Sequence, residues 1–91
     1  MALTHGMNIA AVRTSMKKIE SFAGQLDGLK NQINSEMNNL LAIWSGPDAQ
    51  RFVSSDWGYY KGNMDVLIGA LRSLSANGLR QATEQETVSK A

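Results

Sequence analysis

The sequence predicts an all-α chain, an antiparallel helix-turn-helix hairpin. Apolar residues recur in a three-four alternation through both halves of the chain. One central breaker cluster, Ser45-Gly46-Pro47-Asp48, holds the only proline. No window shows sustained period-two alternation between turn signals. Two helices of about 35 residues would each be about 50 Å long, and so short a linker makes them antiparallel neighbours. A single domain over residues 1–91 is expected, with helix 1 over about 8–43, a turn at 44–47, helix 2 over about 48–82 and a polar tail at 83–91.

Helix 1 rests on Ile9, Val12, Met16, Ile19, Ala23 and Leu26, then Ile33, Met37, Leu40 and Trp44. Lys30 occupies the one seam position that breaks the run. Asn8 suits the N-cap, where its side chain can accept from the free amides of the first turn. Phe22, Leu29 and Leu41 flank the seam and widen the apolar face. They have no place between two helices, which is the physical reason to expect a dimer whose four helices share a core.

Helix 2 follows the same alternation through Val53, Trp57, Tyr60, Met64, Leu67, Leu71, Leu74 and Gly78, with Phe52 beside it. Ser45 or Gly46 can cap it, Pro47 fits its first turn, and Asp48 sets a carboxylate at its positive end. Asn77-Gly78 weakens the helix and is a candidate stop. Leu67 and Leu71 are expected to face helix 1, each costing ~2–5 kcal/mol on truncation to Ala if fully buried. Met16, Met37 and Met64 sit on the seam, where the flexible thioether fills irregular gaps.

The 91 residues, 43% of them hydrophobic, allow one small domain with a thin core. A net charge of +1 offers no field for nucleic acid or an anionic membrane. With no cysteine there is no disulfide, thiolate nucleophile or common zinc site. The first residues lack the basic start and apolar run of a Sec signal peptide, and no stretch nears the ~18 apolar residues of a membrane span. The expectation is a chain without stable membrane insertion, whose export, if any, uses a route that reads no N-terminal signal.

Trp44-Ser45-Gly46 is the most informative triplet: a large aromatic ends one helix, then small residues let the chain reverse. Trp44 can cover the turn and pack on Phe52. The triplet is central, Ala49 and Phe52 follow it, and Trp57 comes further on. With the opening Gly6-Met7-Asn8 followed by Val12-Arg13, and the run from Trp44 to Ala49 and Phe52, the whole chain resembles the WXG family, the early-secreted-antigen-like proteins of bacterial type VII (ESX-like) secretion, and its actinobacterial members in particular. The resemblance implies helical hairpins that dimerise antiparallel into four-helix bundles, as homodimers or with a related WXG-type partner. It implies export of the folded complex through a membrane-embedded type VII ATPase. It also implies a joint recognition surface, in which the Trp44, Ser45 and Gly46 turn of one subunit lies near a C-terminal tyrosine signal of the other. That signal is a tyrosine followed four residues later by Asp or Glu. Here the residues from Gly78 onward hold no tyrosine, and Tyr59 and Tyr60 are followed at the fourth position by Asn63 and Met64. Either a partner carries the signal, or the chain works inside the producing cell as a chaperone-like subunit.

Nothing in the sequence suggests an enzyme, a metal or a cofactor. His5 is the only histidine and reads as part of a frayed N-terminus. Asp48, Asp56 and Asp65 are spread along a helix, the serines have no histidine base beside them, and the glycines form no phosphate loop. Lys17-Lys18 reads as a solvated face. Trp57, Tyr59 and Tyr60 could stack bases or sugars, but Trp57 and Tyr60 fall on the seam and read as core and rim. The expected function is therefore binding to other proteins, as a secreted substrate or co-secreted partner of type VII secretion. The alternatives are a membrane-active effector, which the mixed charges of the polar faces disfavour, and an intracellular adaptor for a larger toxin.

Overall fold

The computed structural model describes residues 3, 4 and 7–90, with the side chains of 7–88. His5 and Gly6 lie outside the described residues. Two antiparallel two-residue strands, β1 (Leu3–Thr4) and β2 (Met7–Asn8), pair Leu3 with Asn8 and Thr4 with Met7. They precede α1 (Ile9–Ile43), a short α2 (Pro47–Arg51), a π-helical turn (Phe52–Asp56) and α3 (Trp57–Lys90). The chain is thus helical, with two long helices. The strand pair was not expected; two-residue strands are too short for any periodicity to register.

Local chemistry accounts for the boundaries. Asn8 Oδ1 accepts from Ala11 N–H at 3.1 Å, the N-cap that starts α1. Gly46 ends the reversal with φ 109° and ψ 175°, a left-handed conformation that a Cβ disfavours. Pro47 then opens α2, with Asp48 in its first turn and Arg51 in its last. In the π turn the Trp57 N–H reaches the Phe52 carbonyl, five residues back.

The chain divides into two compact units. Unit 2, Gly24–Ile68, holds the second half of α1, the reversal and the start of α3. Its segments run antiparallel, with Lys30 against Asp65 and Asn34 against Trp57. Unit 1, Met1–Ala23 with Gly69–Ala91, pairs the first half of α1 with the rest of α3. There Met16 meets Ser75, and Arg13 meets Glu86.

Along α1 the inward residues keep the expected spacing. Ala23 is fully buried, and Ile9, Val12, Met16, Ile19, Leu26, Ile33, Met37 and Leu40 are half-buried. Lys30 is also half-buried, in the seam position it was expected to break. The expectation for α3 needs correction. Trp57 is 8% exposed, and Met64 and Leu71 are half-buried, but Tyr60, Leu67 and Leu74 stand 61%, 49% and 53% exposed. Lys61, Ile68, Ser75 and Ala82 face inward instead. The physical reason lies in the π turn. It holds one residue more than an α turn, so the count begun at Val53 falls one residue later at alternate seam positions.

The helix end also needs correction. Instead of stopping near Asn77-Gly78 or Ala82, α3 continues to Lys90, through the residues expected to form a polar tail. Ala82 is fully buried, Glu86 receives Arg13, and the hydroxyls of Thr83 and Thr87 donate to the carbonyls of Leu79 and Thr83. Gly78 is a packing residue and not a stop. A Cβ added there would overlap Met16 Sδ and Cγ, so the missing side chain is what lets the methionine cross the helix.

Gly62 and Gly69 sit in α3 with open space where a Cβ would stand. Replacing either with Ala should stabilise the fold by about 0.5–1 kcal/mol through the backbone entropy glycine loses in a helix. Gly78→Ala should not show that gain, because the new methyl must displace Met16. Denaturant melts of the three variants measure the difference, and equal gains at all three positions would contradict the packing role of Gly78.

Candidate interaction surface and turn motif

The turn is built by a short sequence of cooperating groups. Trp44 N–H donates to the Leu40 carbonyl at 2.7 Å, carrying the helical pattern one residue beyond α1. The Trp44 ring meets the Phe52 ring with centroids 5.5 Å apart at 51°, a tilted contact of the kind aromatic pairs favour. Trp44 nevertheless remains 41% exposed. Ser45 and Gly46 are exposed, Phe52 is half-buried, and Ala49 is fully buried. Gln50 N–H donates to the Gly46 carbonyl at 3.2 Å, and Arg51 pairs with Asp48 within the same short helix. The triplet therefore presents one open indole edge on a reversal held by Gly46.

Several large apolar side chains are not covered. Phe22 and Leu29 on α1 are 54% and 48% exposed, while Leu41 is half-buried. Tyr60, Leu67 and Leu74 repeat at intervals of seven on α3, which places them on one flank of that helix. Val66 and Tyr59 are exposed as well, and Tyr59 meets Tyr60 edge to face at 5.3 Å. Trp57, by contrast, belongs to the interior of unit 2 and offers no face for stacking.

Polar side chains hold the seam in places the sequence reading missed. Trp57 Nε1 donates to Asn34 Oδ1 at 2.9 Å. Lys30 Nζ reaches Asp65 Oδ1 at 2.5 Å and Asp27 Oδ1 at 3.0 Å, with only 12% of its side chain exposed. These bonds, first to Asp65 and then to Asp27, raise the Lys30 pKa above the ordinary value of 10.5. In unit 1, Ser75 is almost fully buried and donates to the Met16 carbonyl at 2.8 Å. Arg13 grips both carboxylate oxygens of Glu86, at 3.1 and 3.2 Å, and reaches Thr83 Oγ1 at 3.4 Å. That grip on Glu86 raises the Arg13 pKa. A lysine in an apolar seam was itself a signal that a carboxylate faces it. Which carboxylate depends on the register of the two helices, and that is not visible in one dimension.

The remaining surface carries little chemistry. A groove of about 420 Å³ in unit 1 is lined by Met7, Arg80, Gln81, Glu84, Gln85 and Val88. Among the described residues no three His, Cys, Asp or Glu side chains gather as a metal site, and no helix is long and apolar enough to cross a membrane.

The raised Lys30 pKa fixes the sign of a pH dependence. A cation whose pKa is higher folded than unfolded contributes fully below its unfolded value, here near 10.5, and loses that contribution as pH rises through the folded value. Wild-type protein should therefore lose thermal midpoint relative to Lys30→Met above about pH 10.5, where the ion pair fades. Melts of the two proteins from neutral to strongly alkaline pH test this; a constant gap would mean that Lys30 is no better paired than a surface lysine.

No family model matches the chain, and no curated protein or solved structure matches it either.

Proposed function

We propose that this chain works by binding other proteins, as a WXG-type substrate or co-secreted partner of a bacterial type VII secretion system, and that it performs no catalysis. The observation that carries the reading is the turn. Trp44-Ser45-Gly46 stands at a reversal between two long helices, with the indole partly open to solvent and the glycine in a left-handed conformation. This is the place and the geometry that the family resemblance assigns to half of an export signal.

A partner is part of the proposal. Phe22 and Leu29 on α1, with Tyr60, Leu67 and Leu74 on α3, leave a share of large apolar surface that a second helical hairpin would cover. The complex is a four-helix bundle, either of two copies of this chain or with a related WXG-type protein. We propose that the partner supplies the tyrosine half of the signal. The complex then leaves the cytoplasm folded, with the secretion ATPase reading both halves together.

The test follows both halves in the culture medium of a producing cell. Trp44→Arg should abolish export of the complex while sedimentation still finds the dimer, because the helical seam continues without the indole. Cutting the chain after Thr87 should leave both export and assembly unchanged, since Glu86 keeps its contact with Arg13. Normal export of the Trp44 variant, or a stable monomer at micromolar concentration with and without the genomic neighbour, would overturn the proposal. Assembly without export of either variant or wild type would favour an intracellular adaptor.

A further inference from the structure

The sequence marks Asn77-Gly78 as a candidate helix stop, yet α3 runs straight through it. The glycine serves Met16, whose Sδ and Cγ a Cβ at position 78 would overlap. The same packing demand installs the one Asn-Gly pair in the chain. An asparagine followed by glycine is chemically labile. The glycine nitrogen can attack the side-chain amide carbon of the residue before it, and no Cβ stands in the way.

We infer that Asn77 is a deamidation site gated by the packing of unit 1. The Gly78 nitrogen bonds to Asn77 Cγ and closes a succinimide ring. The side-chain nitrogen leaves as ammonia, taking the proton of the Gly78 amide. Water then opens the ring at either carbonyl and gives aspartate or isoaspartate. Water is the sole co-reactant.

The packed fold keeps this reaction closed. Asn77 is exposed to water, but α3 holds the two reacting groups apart. A helical side chain leans toward the N-terminus, while the Gly78 nitrogen lies on the C-terminal side. The helical ladder also engages the hydrogen of that nitrogen in the turn before. Arg80 Nη2 donates to Asn77 Oδ1 at 3.4 Å and restrains the carboxamide. These restraints last as long as this part of α3 stays helical. Ser75 on the Met16 carbonyl, Met16 over Gly78 and Arg13 on Glu86 keep it so.

The two products differ in consequence. Aspartate leaves the backbone unchanged and sets a carboxylate where Arg80 already reaches. Isoaspartate routes the main chain through the side chain and adds a methylene between residues 77 and 78. The helical ladder has no place for the extra atom, so Met16 loses its notch, and Ala82 and Glu86 lose their positions. An opening of unit 1 then becomes irreversible. Asp27-Gly28 has the same spacing, but Asp27 pairs with Lys30 at 3.0 Å, and an ionised carboxylate is a poor target for a nucleophile. The inference does not depend on the secretion reading.

The test incubates the full chain at mildly alkaline pH, folded in one arm and in concentrated guanidinium chloride in the other. Trypsin releases residues 73–80, whose only asparagine is Asn77, and mass spectrometry after chromatography separates the two products. In guanidinium Asn77 should react faster than any other asparagine. In the folded chain it should react at least about tenfold more slowly, because only the open fraction is reactive. Arg13→Ala combined with Ser75→Ala loosens unit 1 without touching the reacting pair, and should raise the folded rate several-fold. Equal rates in the two arms, or no acceleration in the double variant, would overturn the gate. After the denaturant is removed, isoaspartyl chains should regain less helix than unreacted ones, whereas Asn77→Asp should refold fully. Full recovery of helix by the isoaspartyl chains would overturn the irreversibility.

Discussion

The phase of α3 is set at its base, and most of the structure follows from it. Between Phe52 and Asp56 the backbone takes up one residue more than an α-helical turn allows, with the Trp57 N–H bonded to the Phe52 carbonyl. That residue decides that Trp57 points at Asn34 and that Asp65 stands opposite Lys30. It also decides that Tyr60 and Leu67 face water. The polar bonds lock the phase, but they could not form without it. A buried indole N–H lacking an acceptor, or a lysine in the seam lacking a carboxylate, would each carry an uncompensated desolvation cost.

This explains which parts of the molecule were legible in the sequence. The inward face of α1 could be counted directly from Ile9 to Leu40, because apolar residues occupy every position but Lys30 and no irregularity interrupts the helix. The reversal was legible because Gly46 and Pro47 each have a backbone preference that only a turn of this kind uses. In α3 the same count favoured Leu67 and Leu74 over Ile68 and Ser75, since a hydrophobic pattern scores carbon and not hydrogen bonds. The residues of the π turn, Phe52-Val53-Ser54-Ser55-Asp56, have no composition that marks them. The polar run from Thr83 to Thr87 looked like a tail for a related reason: what keeps it helical is a buried Ala82 and the reach of Arg13 from the far end of the chain. Of the turn site, the triplet and the Trp44–Phe52 contact could be read in advance, but the Asn34 and Asp65 pairings depend on a register that one dimension does not hold.

Most of the buried residues are small. Ala23, Ala49, Ser75 and Ala82 are buried alongside Trp57 and Ile68, and Gly78 admits Met16. The larger side chains, Phe22, Leu29, Tyr60, Leu67 and Leu74, are displaced to the flanks. With these side chains left on the flanks the core is thin, and thin cores leave small domains marginal.

The spacing of the cross-helix bonds also orders events in time. The Trp57–Asn34 bond in unit 2 closes a loop of 23 residues, whereas the Arg13–Glu86 clamp in unit 1 closes one of 73. Chain closure over the longer separation costs about 1 kcal/mol more in entropy when made from the open chain. Once the reversal has formed, however, each new contact extends an existing pair of segments and closes only a short additional loop. The cheaper of the two closures from an open chain is therefore the one beside the Gly46 reversal.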